Sequence, residues 1–499
     1  MANLSNLANV NTNESRVPEA YTIDSIMLRN HNGEIWDIQK MVTDFTITES
    51  IYHPGLILSL NVKDTVNFME DHRLTGHETI TVNLSRKDFR NNADTKEQKE
   101  YPEIAQKISR MFYVTEYPLY GKFDNRVQVY TLKGVSKHIF LSKFKKVSRA
   151  YTGNIADFIK DVFVKDLDVD EKNIVLSKQS SPPVSFIVPN LTPIDAIQWA
   201  IRHCYDSHGS PWYCYENLNG QIAIESHTDV NTRAKEKEYR EFREGKFFSA
   251  EPGTLADFHE RANRILDLTS DIRMSKFLSG MNGAYASKSI YTDIFNKSIS
   301  TEEFNYKTEF SKMAKIGNYS SLSQRFYPDR IEPANIYTVD TGAADLSGQL
   351  NQTQFLDRAL AIKSGAHAIS EFSDADINYI PMNSGAYGTS SVNYHNPTKN
   401  KFINIAQSIN ENLEMMVHDF SVAGDLELNC GKIVLLSISP SSDPGAIKKN
   451  NNNVGGSNPL HDEFFSGKYI VASVIHKFAE TYFCDVRVKT DAFAYNLLK

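Results

Sequence analysis

Residues 464–493, FFSGKYIVASVIHKFAETYFCDVRVKTDAF, restrict the fold more than any other part of the chain. In the second half of the segment Tyr482, Cys484, Val486 and Val488 alternate with Phe483, Asp485, Arg487 and Lys489. Alternation with a period of two puts one set on a core and the other toward water, as an extended strand does. The first half, Tyr469–Phe478, is apolar at nearly every position, which predicts a strand inside a sheet rather than at its edge. Ala479–Thr481 is short and polar, so the two halves read as an antiparallel hairpin. A hairpin with one fully apolar strand needs further strands beside it, and the rest of the chain supplies them.

From Tyr21 to Ala150 short amphipathic strands dominate. TDFTITESI alternates at Phe45 and Ile47; GLILSLNVKDTV places Leu56, Leu58, Leu60 and Val62 on one face; HETITVNLS does so with Ile80, Val82 and Leu84; NRVQVYTLKG with Val127 and Val129. With turn signals such as His53-Pro54-Gly55 between them, they predict a barrel or sandwich. RKDFRNNADTKEQKEYPE reads as a surface excursion, and residues 1–19, rich in Asn and Ser, as a disordered or extended arm.

The pattern changes at Tyr151. TGNIADFIKDVFVKDL spaces Ile155, Phe158, Ile159, Val162 and Phe163 as a helix does, after a capping Thr152 or Asn154. VSFIVPN reads as a strand. TPIDAIQWAIRHCYDSHG then reads as a helix with Thr192 as N-cap, Pro193 in the first position and Gly209 as the stop. PWYCYENLNGQIAIES reads as a hairpin turning at Asn219-Gly220. Residues 151–226 thus form a small mixed α/β unit. TRAKEKEYREFREGK reads as a solvated helix. Strand-like material returns between Ile265 and Tyr327. Helices are predicted in TQFLDRALAIKSGAHAISEF and KFINIAQSINENLEMM, and three strands close the chain, the first in GDLELNCGKIVLLSI. The Ser441–Glu463 stretch reads as a flexible loop.

The 54 basic and 61 acidic residues give a formal charge of −7, against a chain whose main work is gripping nucleic-acid phosphates. Four cysteines in 499 residues are too few for a disulfide scaffold and read as buried, reduced thiols of a protein folded in cytoplasm. No apolar run reaches the roughly 18–20 residues of a membrane span. The N-terminus has neither the basic start nor the apolar core of a signal peptide. A soluble protein that does not insert in membranes is expected.

The chemistry-bearing motifs are weak. His203, Cys204, His208 and Cys214 cluster, but match no zinc spacing and contain no C-x-x-C. A core cysteine and a helix-end histidine explain them better. Asp166, Asp168 and Asp170 have calcium-loop spacing, yet Glu171 stands where glycine is required and Ser177 where glutamate is, so this is a solvated turn. Ser142 and Lys145 have a hydrolase spacing without the accompanying motifs. A basic stretch interleaves Lys133, Lys137, Lys143, Lys145, Lys146 and Arg149 with Phe140, Phe144 and Tyr151. That pattern can bind single strands. In an acidic chain we favour lysines that face water or an acidic neighbouring subunit. No catalytic, cofactor-binding or metal-ligating residue is assigned and no cofactor is expected.

The order of these segments resembles one family, the central baseplate hub proteins of contractile-tailed, T-even-like bacteriophages. FTITESIYHPGLILSLNVKDTVNF, TGNIADFIKDVF, FIVPNLTPIDAIQWAIRHCYDSHGSPWYCYENLNGQIAIES, SINENLEMMVHDF, GDLELNCGKIVLLSI and GKYIVASVIHKF carry the likeness over nearly the whole chain. The resemblance implies an α+β, mainly β fold. It has two tail-tube-type antiparallel barrels (20–150, and 261–330 with 402–499), an α/β domain (151–260) and a mixed insertion (331–401). It further implies a virion structural protein, not an enzyme, assembled in the host cytoplasm. As a homotrimer it would present a pseudo-sixfold ring joining a sixfold tail tube, or its initiator protein, to a threefold central spike. Baseplate wedge proteins would flank the ring and DNA would pass through its lumen. Alternatives are a tube-initiator or adaptor of a related contractile injection system and, from another class, a tail-associated hydrolase.

Overall fold

A computed structural model describes residues 19–86, 106–118, 120–123, 127–179, 181, 183–235, 240–244, 260–272, 276–294, 296–309, 312–316, 373–382, 401–414, 416–439, 462 and 465–491. The predicted arm up to Pro18, the 86–103 excursion beyond Arg86, the helix predicted in TQFLDRALAIKSGAHAISEF and most of the Ser441–Glu463 loop lie outside them.

Alternation becomes strands where it was read. The N-terminal part forms β1 (Thr22–Arg29), β2 (Ile35–Asp37), β3 (Val42–Ser50), β4 (His53–Asp64), β5 (Thr79–Arg86), β6 (Gln106–Glu116), β7 (Tyr120–Phe123) and β8 (Val127–Ser136). They pair antiparallel in the order β3-β4-β8-β6-β5-β1-β2, with β7 beside β8. Leu56, Leu58, Leu60, Ile80, Val82 and Leu84 are all buried. Each such side chain contributes about 1.5–3 kcal/mol by leaving water.

The α/β unit holds β9 (Ala150–Asn154) paired with β11 (Pro183–Ile187), and β10 (Ile174–Leu176), β12 (Trp212–Glu216) and β13 (Ile222–Ser226) in a three-stranded sheet. Helices Ile155–Asp161 and Pro193–Ile201 pack into its own core with Phe158, Phe163, Ile197, Trp212 and Ile224. Thr192 caps the second helix, its hydroxyl accepting from the Asp195 N–H at 3.2 Å with Pro193 following. Gly209 is not its stop. The helix ends at Ile201, and Gly209, at φ +75°, serves a later turn. The hairpin turns through Asn217–Gln221 with Gly220 at φ +84°, where glycine alone is unstrained.

The remainder supplies β14 (Arg240–Glu244), β15 (Arg264–Ile265), β16 (Asp267–Ile272), β17 (Ala286–Asp293), β18 (Ser298–Asn305), β19 (Ile377–Met382), β20 (Met416–Ala423), β21 (Ile433–Ser437), β22 (Gly467–Phe478) and β23 (Tyr482–Thr490). The charged stretch TRAKEKEYREFREGK is not one helix. A helix spans His227–Lys235, and Arg240–Glu244 is a strand because Phe242 drops into the core beside β21. Helix Phe402–Leu413 forms as read. Four closing strands follow rather than three, since β20 begins at Met416, the last residue of the predicted helix, and runs through VHDF to Ala423. In GDLELNCGKIVLLSI only Ile433–Ser437 is extended.

The closing hairpin is the hinge of the fold. On one edge β22 pairs with β23. On the other it pairs first with β21, at Gly467–Ile470, and then with β3, at Ser473–Phe478. The changeover falls at Ala472, where the β22–β23 register shifts and the Ala472 carbonyl accepts from the Ile51 N–H. Such a shift re-aims a strand. One 15-stranded sheet therefore runs through both ends of the chain. It is antiparallel except at β14, which lies parallel to β15 and β21. The chain is mainly β. Its largest hydrophobic core is shared, with Phe45 and Leu58 contacting the same cluster as Phe420, Val474 and Val486. No described helix is long and apolar enough to cross a membrane.

Candidate functional site: the junction of the two halves

Where β3 meets β22, two polar side chains occupy positions in phase with the core. Glu49 continues Phe45 and Ile47 on β3, and His476 sits between Val474 and Phe478 on β22. Both are fully buried. His476 Nε2 lies 3.0 Å from Glu49 Oε1, and its Nδ1 lies 2.7 Å from the Tyr482 hydroxyl and 3.4 Å from Cys484 Sγ. Backbone N–H groups of Cys430 and Leu218 also point at Glu49. This one carboxylate thus touches both halves and the α/β hairpin.

Burial pushes the Glu49 carboxyl up. Burial also opposes charge on His476, but Cys484 and Glu49 more than offset it and raise its pKa to about 10. The proton stays on the imidazole through the neutral range. Around the pair Phe45 stacks on Phe478 at 4.6 Å, and Phe478 on Tyr482 at 4.3 Å.

Two other buried carboxylates make similar ties. Asp425 pairs with Arg86 of β5 at 3.4 Å and with Arg240 of β14, which also donates to Asn263 Oδ1 at 2.6 Å. Glu216 of β12 pairs with Arg110 of β6, accepts from the Ser136 hydroxyl and from the Leu56 N–H, and lies 3.6 Å from His138. Removing one member of such a pair leaves an uncompensated buried charge, a cost of about 3–5 kcal/mol. These pairs fix how the pieces sit together.

The line Cys484–His476–Glu49 has the order of a nucleophile, base and orienting acid. The sequence reading assigned no such constellation. Its signal was present, as an acid and a histidine at core-phase positions of two alternating strands. All three residues are buried in the shared core, where a substrate has no access.

The sequence-derived candidates resolve into structure. Cys204 and Cys214 are buried in the α/β core, with thiols pushed up by burial. The His203 ring meets the Trp199 carbonyl at 2.8 Å. No set of three His, Cys, Asp or Glu among the described residues is arranged to hold a metal. The Ser142 hydroxyl accepts from the Ile194 N–H at 3.0 Å, and Lys145 donates to the Asp166 carbonyl. The acidic turn and the basic stretch turn out to be partners. Lys137 pairs with Asp168, and Arg149 with Asp166 at 2.9 Å. That part of the basic cluster answers acids of its own chain, not of a neighbour.

The face of the long sheet opposite the core mixes polar and apolar side chains across the junction. Thr46 and Thr48 of β3 are flanked by Ser59 and Ile57 on β4 and by Lys477 and Ile475 on β22. Three of its cations are paired within the sheet. Arg487 donates twice to Asp419, each at 2.8 Å, Lys477 pairs with Asp485, and Lys133 pairs with Glu116 at 3.1 Å.

No family model matches the chain. No curated protein matches it either. Among solved structures it is similar to the tail protein from Neisseria meningitidis MC58, at 9% identity over 95% of this chain and 97% of that one, TM-score 0.46. It is similar to the 43 kDa tail protein of prophage MuSo2 from Shewanella oneidensis, at 9% identity over 95% and 100%, TM-score 0.45. It is also similar to the E. coli c3393 protein, a component of the type VI secretion system, at 6% identity over 91% and 75%, TM-score 0.40.

Proposed function

We propose that this chain is a structural hub of a contractile tail baseplate. Three copies would form a ring that adapts a sixfold tail tube to a threefold central spike and lets DNA pass. The observation that carries the reading is the β3–β22 junction. It sets two blocks of strands from opposite ends of one chain side by side in a single sheet, as two neighbours in a ring of six would stand. The segment order described above, which resembles the hub family, supports the same reading.

The paired charges of that face support the passage of DNA. Thr46, Thr48 and Ser59, with Arg487, Lys477 and Lys133 each paired to an acid of the sheet, leave little free positive charge for a polyanion to adhere to, as a lumen requires. A tube-initiator or adaptor role would use the same features. A tail-associated hydrolase would need an accessible constellation, and the one nucleophile-base line found here is enclosed by the core.

Light scattering over a concentration series tests the proposal. A mass near three times the chain's 56.5 kDa, with a central channel by electron microscopy, is expected. A monomer at every concentration, unchanged when a trimeric spike is added, overturns it.

A further inference from the structure

Two exposed apolar patches on different parts of the chain have rims of opposite charge. The first lies at one rim of the N-terminal strands. Ile57 of β4 pairs with Val135 of β8, which pairs with Tyr113 of β6. The Tyr113 ring stacks on Phe140 at 4.9 Å, and Phe140 meets Phe144 at 5.0 Å. Phe144 ends this aromatic ladder 73% exposed, between the exposed Lys143 and Lys146, which make no ion pair with described residues. An aromatic so exposed and flanked by cations is a feature of contact surfaces.

The second patch is the outward face of the sheet β18-β17-β19. Register places Ile299, Thr292 and Pro381 in one row, Thr301, Ile290 and Tyr379 in the next, and Glu303, Lys288 and Ile377 in the third. Ile299 and Tyr379 are 72% and 73% exposed. Glu303 and Asp374 both pair with the single Lys288, at 3.7 and 3.3 Å, which leaves an acid in excess.

We infer that the Phe144 knob of one copy docks on the β18-β17-β19 face of the next copy. The first patch is apolar with a cationic rim, and the second is apolar with an anionic rim. Both stay exposed in the single chain, so they meet only between copies. Because the patches differ, the contact is head-to-tail, the kind that closes rings. The inference rests on the ring reading above and names the surface that would form it.

Cysteine cross-linking tests it, since the four native cysteines are buried. The double variant Phe144→Cys/Ile299→Cys, treated with a short bismaleimide, should give cross-linked dimers and trimers, and each single variant none. Cross-linking by a single variant would mean a like-with-like contact and overturn the inference. So would an unlinked double variant whose scattering mass is still threefold, which leaves the ring reading standing on another surface. A double variant that is monomeric, like the parent chain, removes both. A charge exchange gives the second check. Lys143→Glu/Lys146→Glu should weaken association about tenfold, and Glu303→Lys/Asp374→Lys should restore it in combination. Failure to restore in a folded protein overturns the contact.

Discussion

His476 Nε2 sits 3.0 Å from Glu49 Oε1, with both side chains closed off from solvent and their strands drawn from opposite ends of the chain. The pair ties β3 to β22 at the point where one sheet becomes common to both halves. Glu49→Ala should destabilise the protein by about 3–5 kcal/mol, because the imidazolium stays buried without its counter-charge. Glu49→Gln, which keeps a hydrogen-bond acceptor, should cost less. Urea unfolding of the three proteins checks the order, and equal stability of all three would refute the role given to the pair.

The same pair predicts a loss of stability in alkali. The folded His476 pKa is raised from its ordinary value near 6.5 to about 10. Between those values the folded state holds a proton that the unfolded state has released, so stability falls as pH rises. The contribution is complete below about pH 6.5 and gone above about pH 10. Unfolding midpoints at pH 7, 8.5 and 10 should drop more steeply for the parent chain than for His476→Gln, whose lysines and tyrosines titrate alike.

An opposite dependence is expected from His418. Its ring lies between the Ser270 hydroxyl at 2.7 Å and the Tyr469 hydroxyl at 3.1 Å, and burial lowers its pKa to about 4. The folded state keeps it neutral where the unfolded state would protonate it, so stability falls as pH drops from about 6.5 to 4. Replacing His418 with Gln should flatten that part of the acid profile in a chemical denaturation series. An unchanged acid slope would show that other groups set it.

Gly431 should not tolerate a side chain. Its φ is +75°, and a Cβ there would collide with the Tyr215 hydroxyl, which itself bonds Glu225 at 2.6 Å. Strain and overpacking together should cost at least about 2 kcal/mol in Gly431→Ala. Adding Tyr215→Phe removes the hydroxyl and should recover part of the loss. Thermal melts of the single and double variants decide this, and an unperturbed Gly431→Ala would contradict the packing described.

Alternation, capping and turn chemistry act between residues near each other in sequence, and they were legible. The hairpin about Ala479–Thr481, the Thr192-Pro193 cap, the Asn219-Gly220 turn and the buried phases of β3, β4, β5 and β23 could all be read from the amino acids alone. Arg240–Glu244 was not legible as a strand, because its charges suit a solvated helix and only Phe242 against β21 holds it extended. Lys489 was assigned to the wet face, yet it is buried and paired with Glu414, because Tyr52 and Glu414 close over it. Glu49 and His476 stood in view as polar residues in core phase. They are 427 positions apart, and no local pattern says which strand lies beside which. Sequence determined the strands and which face of each is buried. Only the tertiary structure decided that β3 and β22 share an edge, because edge pairing satisfies backbone hydrogen bonds that carry no residue-specific signal.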